Sequence, residues 1–333
     1  MPERPRVVVI FTGGPIAMLP DPVTGAAAPA LAGEQVLARV AGLEKLAEVE
    51  PLDWGLVPAS HLRFEQILAI GGLARDALAR PEVTGAVVVQ GTDVMEETAF
   101  AWDLLHASPK PLVVVGAMRD AGAVDYDGPD NLRAAVRVAS GPEMRDQGVL
   151  VVMGGWVLPA DDVTKTHSTA LDAFQALDEG PLGSVEAGEL RVTRRRGGRR
   201  VLPSIPTAAA EPVDLVTAVV STDGQALRRA VAGGARGVVV EATGAGNTDP
   251  DLLAAAWEAM AAGIPVVLTS RCPAGGVGPS YGFPGGGASW QAAGAILGGT
   301  LSGPRARVAL ALGLGAGLDE AALGAFISGR GEP

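Results

Sequence analysis

Val7-Val8-Val9-Ile10-Phe11, running into Thr12-Gly13-Gly14, is the stretch that decides the fold. An unbroken apolar run predicts a strand buried on both faces, because a strand with one wet face alternates apolar and polar residues. The glycines predict a turn at its carboxyl end. Similar runs recur at 85–89, 111–115 and 148–153, with amphipathic segments between them at 34–46, 64–79, 95–107 and 131–139. Repeated strand–helix units of this kind require right-handed crossovers around a mainly parallel sheet.

The pattern changes near 202–212, where Pro203, Pro206 and Pro212 bracket small residues that continue neither element. Beyond it, strands are predicted at 214–220, 237–241 and 264–269, with helices at 225–232 and 250–262. Thr248 or Asp249 is the cap of the latter and Pro250 suits its first turn. The expected class is therefore α/β, with a larger N-terminal doubly wound, mainly parallel sheet domain (1–202), a linker (203–212) and a smaller C-terminal α/β domain (213–333). A chain of 333 residues also exceeds the roughly 250–300 residues over which a single core keeps growing.

Composition narrows the function. A net charge of −11 argues against a nucleic-acid partner, whose binding depends on cationic neutralisation of phosphates. The one basic run, Arg194-Arg195-Arg196-Gly197-Gly198-Arg199-Arg200, reads as a solvated hairpin turning at its glycines. Cys272 is the only cysteine, and His61, His106 and His167 are scattered without metal-ligand spacing. No metal, nucleotide or other cofactor is expected, and Thr12-Gly13-Gly14 alone is too short to imply a phosphate loop. No apolar stretch is long enough to cross a bilayer, and Met1 to Arg6 lead into the first strand without a signal-peptide core. A cytoplasmic protein acting on a small molecule is the expectation.

In open α/β sheets ligands collect beyond the carboxyl ends of the strands, which directs attention to the loops 12–18, 90–97, 116–130 and 242–249. Val89-Gln90-Gly91-Thr92-Asp93-Val94-Met95-Glu96-Glu97 places a hydroxyl and a carboxylate at a strand-to-helix turn, where backbone N–H groups favour anions. The same spacing, Asp93 to Glu96, is also a capping-box pattern. Lys165 lies in Asp162-Val163-Thr164-Lys165-Thr166-His167-Ser168-Thr169. It is one of three lysines, with Lys45 and Lys110, among 26 Lys and Arg residues. An arginine keeps its proton, whereas a lysine amine can act as a general base. An ordinary surface ion pair is the alternative for it.

Several segments in order, Thr12-Gly13-Gly14-Pro15-Ile16-Ala17, Gln90 to Glu97, Gly116-Ala117-Met118-Arg119 and Asp127-Gly128-Pro129-Asp130-Asn131-Leu132, resemble the signatures of bacterial-type L-asparaginases. Asp162 to Thr166, Gly244-Ala245-Gly246-Asn247 and Ser270-Arg271 continue the resemblance, which covers nearly the whole chain. It implies hydrolysis of a small amide at a threonine-centred site flanked by two hydroxyl-containing triads. By position Thr92, Asp93 and Lys165 resemble the second triad, and Ser60 resembles the serine that binds the substrate α-carboxylate. Gly14, Gly91 and Gln90, the last where many members have His, would line the pocket. Ala117 would offer a backbone carbonyl, and Asn247 resembles a residue that reaches a neighbouring subunit's site. A homotetramer of close dimers is implied as well.

Pro15 departs from this pattern, because the family motif has threonine there as its usual nucleophile. Proline has neither a hydroxyl nor an N–H, so position 15 can neither attack a carbonyl nor donate to an oxyanion. The tyrosine that the following loop normally supplies is also missing from 18–33; the two tyrosines are Tyr126 and Tyr281. Three readings follow. Thr92, with Lys165 as base and Asp93 as orienting group, hydrolyses a non-asparagine or cyclic amide, or Thr12 replaces the missing hydroxyl. Alternatively the chain binds an amino acid or dicarboxylate without turnover, or it is an asparaginase inactivated at position 15.

Overall fold

The computed structural model describes residues 4–329; Met1 to Glu3 and the last four residues lie outside the described part. The chain divides into two units between Val201 and Leu202. In the first, eight strands form one sheet: β1 (Arg6–Phe11), β2 (Glu48–Asp53), β3 (Val83–Val89), β4 (Leu112–Val115), β5 (Val149–Met153), β6 (Trp156–Pro159), β7 (Gly183–Glu186) and β8 (Glu189–Val192). Their spatial order is β8-β7-β6-β5-β4-β3-β1-β2. The five strands β2, β1, β3, β4 and β5 run parallel, and β6, β7 and β8 are added antiparallel.

The first strand is as its sequence requires, with Val7 to Phe11 buried on both faces. It sits between β2 and β3, with Val9 opposite Pro51 on one side and Val87 on the other. The order β2-β1-β3-β4-β5 reverses direction between β1 and β3. That is a topological switch point, where open α/β sheets form their ligand crevice. The turns leaving β1 at Thr12 and β3 at Gln90 open side by side there.

β2 was not foreseen. The segment 34–46, expected as one helix, breaks into Gly33–Leu37 and Leu43–Leu46 around the left-handed Gly42, and the chain then pairs along β1. Pro51 hides the strand in the sequence, yet an edge strand tolerates a proline whose missing N–H faces away from the ladder. Other helices fall close to expectation: Phe64–Ala79, Met95–Leu105 and Gly128–Ser140. Met95–Leu105 is buried almost all round, the condition of a helix inside a core. Its Trp102 indole donates to the Ile67 carbonyl at 2.8 Å, fastening it to Phe64–Ala79.

The basic run corrects the reading of a solvated hairpin. The hairpin lies earlier, between β7 and β8, where Glu186 pairs with Glu189 across Ala187 and Gly188, both at positive φ. The run 193–200 has no regular structure and lies against the unit with its arginines engaged. Arg196, 4% exposed, pairs with Asp103 and Asp161, each at 2.7 Å; Asp103 is 1% exposed and takes a second arginine, Arg199, at 3.0 Å. Arg194 pairs with Glu179, and Arg195 donates to the Glu143 carbonyl. Glycines 197 and 198 let this segment bend, but its position is set by buried carboxylates that are distant in sequence.

The second unit carries a parallel sheet in simple order: β9 (Val213–Thr217), β10 (Gly237–Ala242), β11 (Val266–Ser270) and β12 (Ile296–Leu297). Gln225–Ala232 and Pro250–Ala261 form as expected, with Asp249 accepting from the Asp251 N–H at the start of the latter. Gly303–Gly315 and Glu320–Ser328 add two further helices. Its core gathers Val238, Val240, Leu252, Leu268 and Trp290. Sequential strand order leaves this sheet without a switch point of its own.

Candidate active site

The crevice between β1 and β3 is closed to atomic contact by two glycines. Gly14 has φ +97°, and a Cβ on it would stand 2.5 Å from the backbone nitrogen of Gly91. Any side chain there would push the two turns apart. Pro15 then begins a short 3-10 turn, Pro15–Ala17, at the position where a missing N–H is tolerated. On the other side, a Cβ on Gly91 would lie 2.9 Å from the Ala59 methyl, which brings the turn Ala59–His61 and its exposed Ser60 against the same loop.

Thr92 follows Gly91 and is 5% exposed. Its hydroxyl accepts from Lys165 Nζ at 2.9 Å, and the same amine donates to Asp93 Oδ1 at 3.3 Å. The Lys165 side chain is 17% exposed and that of Asp93 65%, so the amine is sheltered while the carboxylate faces outward. Lys165 ends the strand Val163–Lys165, paired antiparallel with Phe174–Ala176. The strand is anchored at its start, where Asp161 meets Arg196 and Asp162 accepts from the N–H groups of Leu177, Asp178 and Glu179. A nucleophile-type hydroxyl and a base-type amine, 73 residues apart in sequence, are thus within proton-transfer reach.

The third wall is the loop after β4. Gly116 lies over Thr92, since a Cβ there would stand 3.2 Å from the Thr92 methyl carbon. Ala117 is buried, and the next two N–H groups, of Met118 and Arg119, both donate to the Asp127 carboxylate at 3.0 Å. Asp127 also accepts from Asn131, whose amide donates to the Gly116 carbonyl at 3.1 Å. This loop is tied to the first one by Tyr126, whose hydroxyl donates to the Ile16 carbonyl at 2.8 Å. Burial raises the Tyr126 phenol to about 12, with Arg39 opposing the shift and Asp127 adding to it, so it remains a donor at ordinary pH. The loop 18–33 has no tyrosine, and one arrives beside Ile16 from the 116–130 loop instead.

Two residues are placed differently from their expected roles. The Thr12 hydroxyl is 1% exposed and donates to the Val89 carbonyl at 3.0 Å; it closes the β1–β3 ladder rather than facing the crevice. Gln90 is fully buried and its amide donates to the Thr98 hydroxyl at 2.8 Å. Its side chain thus bonds to the following helix and does not line a pocket. The capping box is also absent: Val94 is the N-cap of Met95–Leu105 and no side chain caps it. Asp93 turns to Lys165 instead.

Asn247 belongs to the second unit, in a turn closed by Thr243, whose hydroxyl donates to the Asn247 carbonyl at 2.7 Å. The Asn247 Oδ1 is buried with no hydrogen-bond partner among the described residues. Among the described residues no group of three or more His, Cys, Asp and Glu side chains is placed to hold a metal ion. No described helix is long and apolar enough to cross a membrane.

A hydroxyl, an amine and a carboxylate are gathered at the switch point of a parallel sheet, where open α/β sheets hold their ligands. The family follows from comparison. Residues 6–197 match the model of the asparaginase N-terminal domain and residues 212–326 that of the glutaminase/asparaginase C-terminal domain. A probable L-asparaginase of Deinococcus radiodurans is 34% identical over 95% of each chain. A glutaminase-asparaginase of Pseudomonas fluorescens is 30% identical over 81% of this chain and 76% of its own. The crystal structure of a probable cytoplasmic L-asparaginase from Campylobacter jejuni superposes with a TM-score of 0.85 at 28% identity, covering 97% of this chain and 99% of that one. The chain belongs to the asparaginase family and is an amidohydrolase acting on carbon–nitrogen bonds.

Proposed function

We propose that this enzyme hydrolyses a small linear or cyclic amide other than asparagine, with Thr92 as nucleophile and Lys165 as its base. The observation that carries this is the 2.9 Å contact between Lys165 Nζ and Thr92 Oγ1, in a chain whose position 15 has no hydroxyl. In its amine form Lys165 takes the Thr92 proton as Oγ1 bonds to the amide carbon. It returns that proton to the departing nitrogen as the carbon–nitrogen bond breaks, leaving an acyl ester on Thr92. Water, losing its proton to Lys165, then attacks the ester carbon, and as the bond to Thr92 Oγ1 breaks Lys165 returns that proton to Oγ1, releasing the acid and restoring the amine. Asp93 orients Lys165 or holds a substrate ammonium, and Ser60, Gly14, Gly91 and the Ala117 carbonyl line the substrate.

The test is a screen for ammonia or ring-opened acid over linear and cyclic amides, run on the natural chain and on Pro15→Thr. The natural chain is expected to turn over at least one amide better than asparagine, and Pro15→Thr to lose that preference. Turnover of no amide by the natural chain, together with vigorous asparagine hydrolysis by Pro15→Thr, would identify instead an asparaginase silenced at position 15.

On the family resemblance we further assign the enzyme to the cytoplasm as a homotetramer made of two close dimers. Asn247 then reaches a neighbouring subunit's site, a role compatible with its unpartnered Oδ1. Light scattering on the eluting protein is expected to give four times the chain mass. A monomer that still turns over would overturn the shared site.

A further inference from the structure

Thr92 and Lys165 sit on two elements that meet at a second point. The Lys165 backbone N–H donates to Glu96 Oε2 at 2.9 Å. On the ribbon that carries Lys165, the next N–H, that of Thr166, goes to the Ala173 carbonyl. The Lys165 N–H therefore points to the opposite edge of the strand, where the ribbon offers no acceptor. A sheltered N–H needs one. Glu96, half-buried in the first turn of Met95–Leu105, supplies it.

In a capping box the Glu96 carboxylate would accept from the backbone N–H of Asp93. Because the helix instead begins after Val94 with no side-chain cap, that carboxylate is available to the strand. Thr92 and Glu96 belong to one turn and helix start, and the amine and the N–H of Lys165 belong to one residue. Two bonds, each 2.9 Å long, thus join the same two elements. The backbone bond sets where along the strand edge Lys165 stands, and with it where the amine can reach.

We propose that Glu96 is a positioning residue, gripping Lys165 by its backbone so that the amine meets the Thr92 hydroxyl. This rests on the reading of Thr92 and Lys165 as the reacting pair. Reaction rates respond steeply to such placement, with misplacement by an ångström reducing turnover about 100-fold. The requirement is an oxygen acceptor at the end of a side chain of this length, which glutamine also provides.

The experiment compares Glu96→Ala and Glu96→Gln by steady-state kinetics on the best amide and by crystal structures of both variants. Glu96→Ala is expected to lower kcat about 10–100-fold with KM little changed, and Glu96→Gln to recover most of that loss. In the crystals, the distance from Lys165 Nζ to Thr92 Oγ1 should exceed about 3.5 Å, the limit of a hydrogen bond, in Glu96→Ala and stay near its present value in Glu96→Gln. Glutamine as damaging as alanine would assign the effect to charge and overturn the proposal. So would an unaltered Nζ–Oγ1 contact in the alanine variant. If the natural chain hydrolyses no amide, the reading of Thr92 fails on its own, and the two crystal distances still decide the role of Glu96.

Discussion

Thr92→Ala is expected to lower kcat on the best amide by about 10⁴-fold or more, with KM and the thermal midpoint nearly unchanged. The variant removes the hydroxyl proposed to attack and one acceptor of Lys165, while the glycine contacts that shape the crevice stay in place. Thr92→Ser keeps the hydroxyl and should retain measurable turnover. Lys165→Arg is the complementary test, since it keeps the cation and the hydrogen bonds to Thr92 and Asp93 but has no proton-accepting form. It should reduce kcat by about 10²–10⁴-fold, the usual worth of general-base assistance. The double variant should be little worse than Thr92→Ala, because base and nucleophile act in one step. Ammonia or ring-opened acid measured under saturating substrate reads all four. Hydrolysis by Thr92→Ala at the natural rate would place the nucleophile elsewhere.

The sequence made the parallel half of the large sheet legible because its strands are continuous apolar runs ended by glycine or polar turns, as at Val7 to Gly14. It concealed β2, since Pro51 is acceptable only on an edge, and being on an edge is a property of the assembled sheet. The chemistry was legible in part: Thr92, Asp93 and Lys165 meet in one place, although nothing in local spacing relates position 92 to 165. Thr12 and Gln90 share the motif's loops yet turn their polar groups inward, to Val89 and Thr98. Loop membership does not fix which way a side chain faces. Tyr126 and Glu96 were missed for the opposite reason. Each lay within or beside a recognised segment, but its hydrogen bond goes to a residue far along the chain.

Asp103→Ala is expected to destabilise the first unit by about 3–5 kcal/mol, the effect of removing one member of a buried ion pair and leaving its partner uncompensated. For a unit of this size that corresponds to a fall of about 6–20 °C in the midpoint followed by circular dichroism. Asp103 accepts from Arg196, Arg199 and the Val149 N–H, so its loss takes the carboxylate from Arg199 and leaves Arg196 with Asp161 alone. Burial pushes its carboxyl upward, but Arg196, Arg199 and the Val149 N–H together outweigh it and hold Asp103 below the usual carboxylate range. A depressed carboxyl stabilises the folded state above its unfolded value of about 3.9 and loses that contribution as pH falls through the lower folded value. The gap between natural chain and variant should therefore be full at neutral pH and narrow only below about pH 3.9. Arg199→Met in the Asp103→Ala background should recover part of the loss, since Arg196 keeps Asp161 as a partner whereas Arg199 loses its carboxylate. A midpoint for Asp103→Ala within about 2 °C of the natural chain, a difference of about 1 kcal/mol or less, would mean that the run 193–200 is held by something other than this cluster. The cluster also bears on the site. Asp103 lies on the helix that starts just after Thr92, and Asp161 precedes the strand that ends at Lys165, so Arg196 joins from behind the two elements whose front ends hold Thr92 and Lys165.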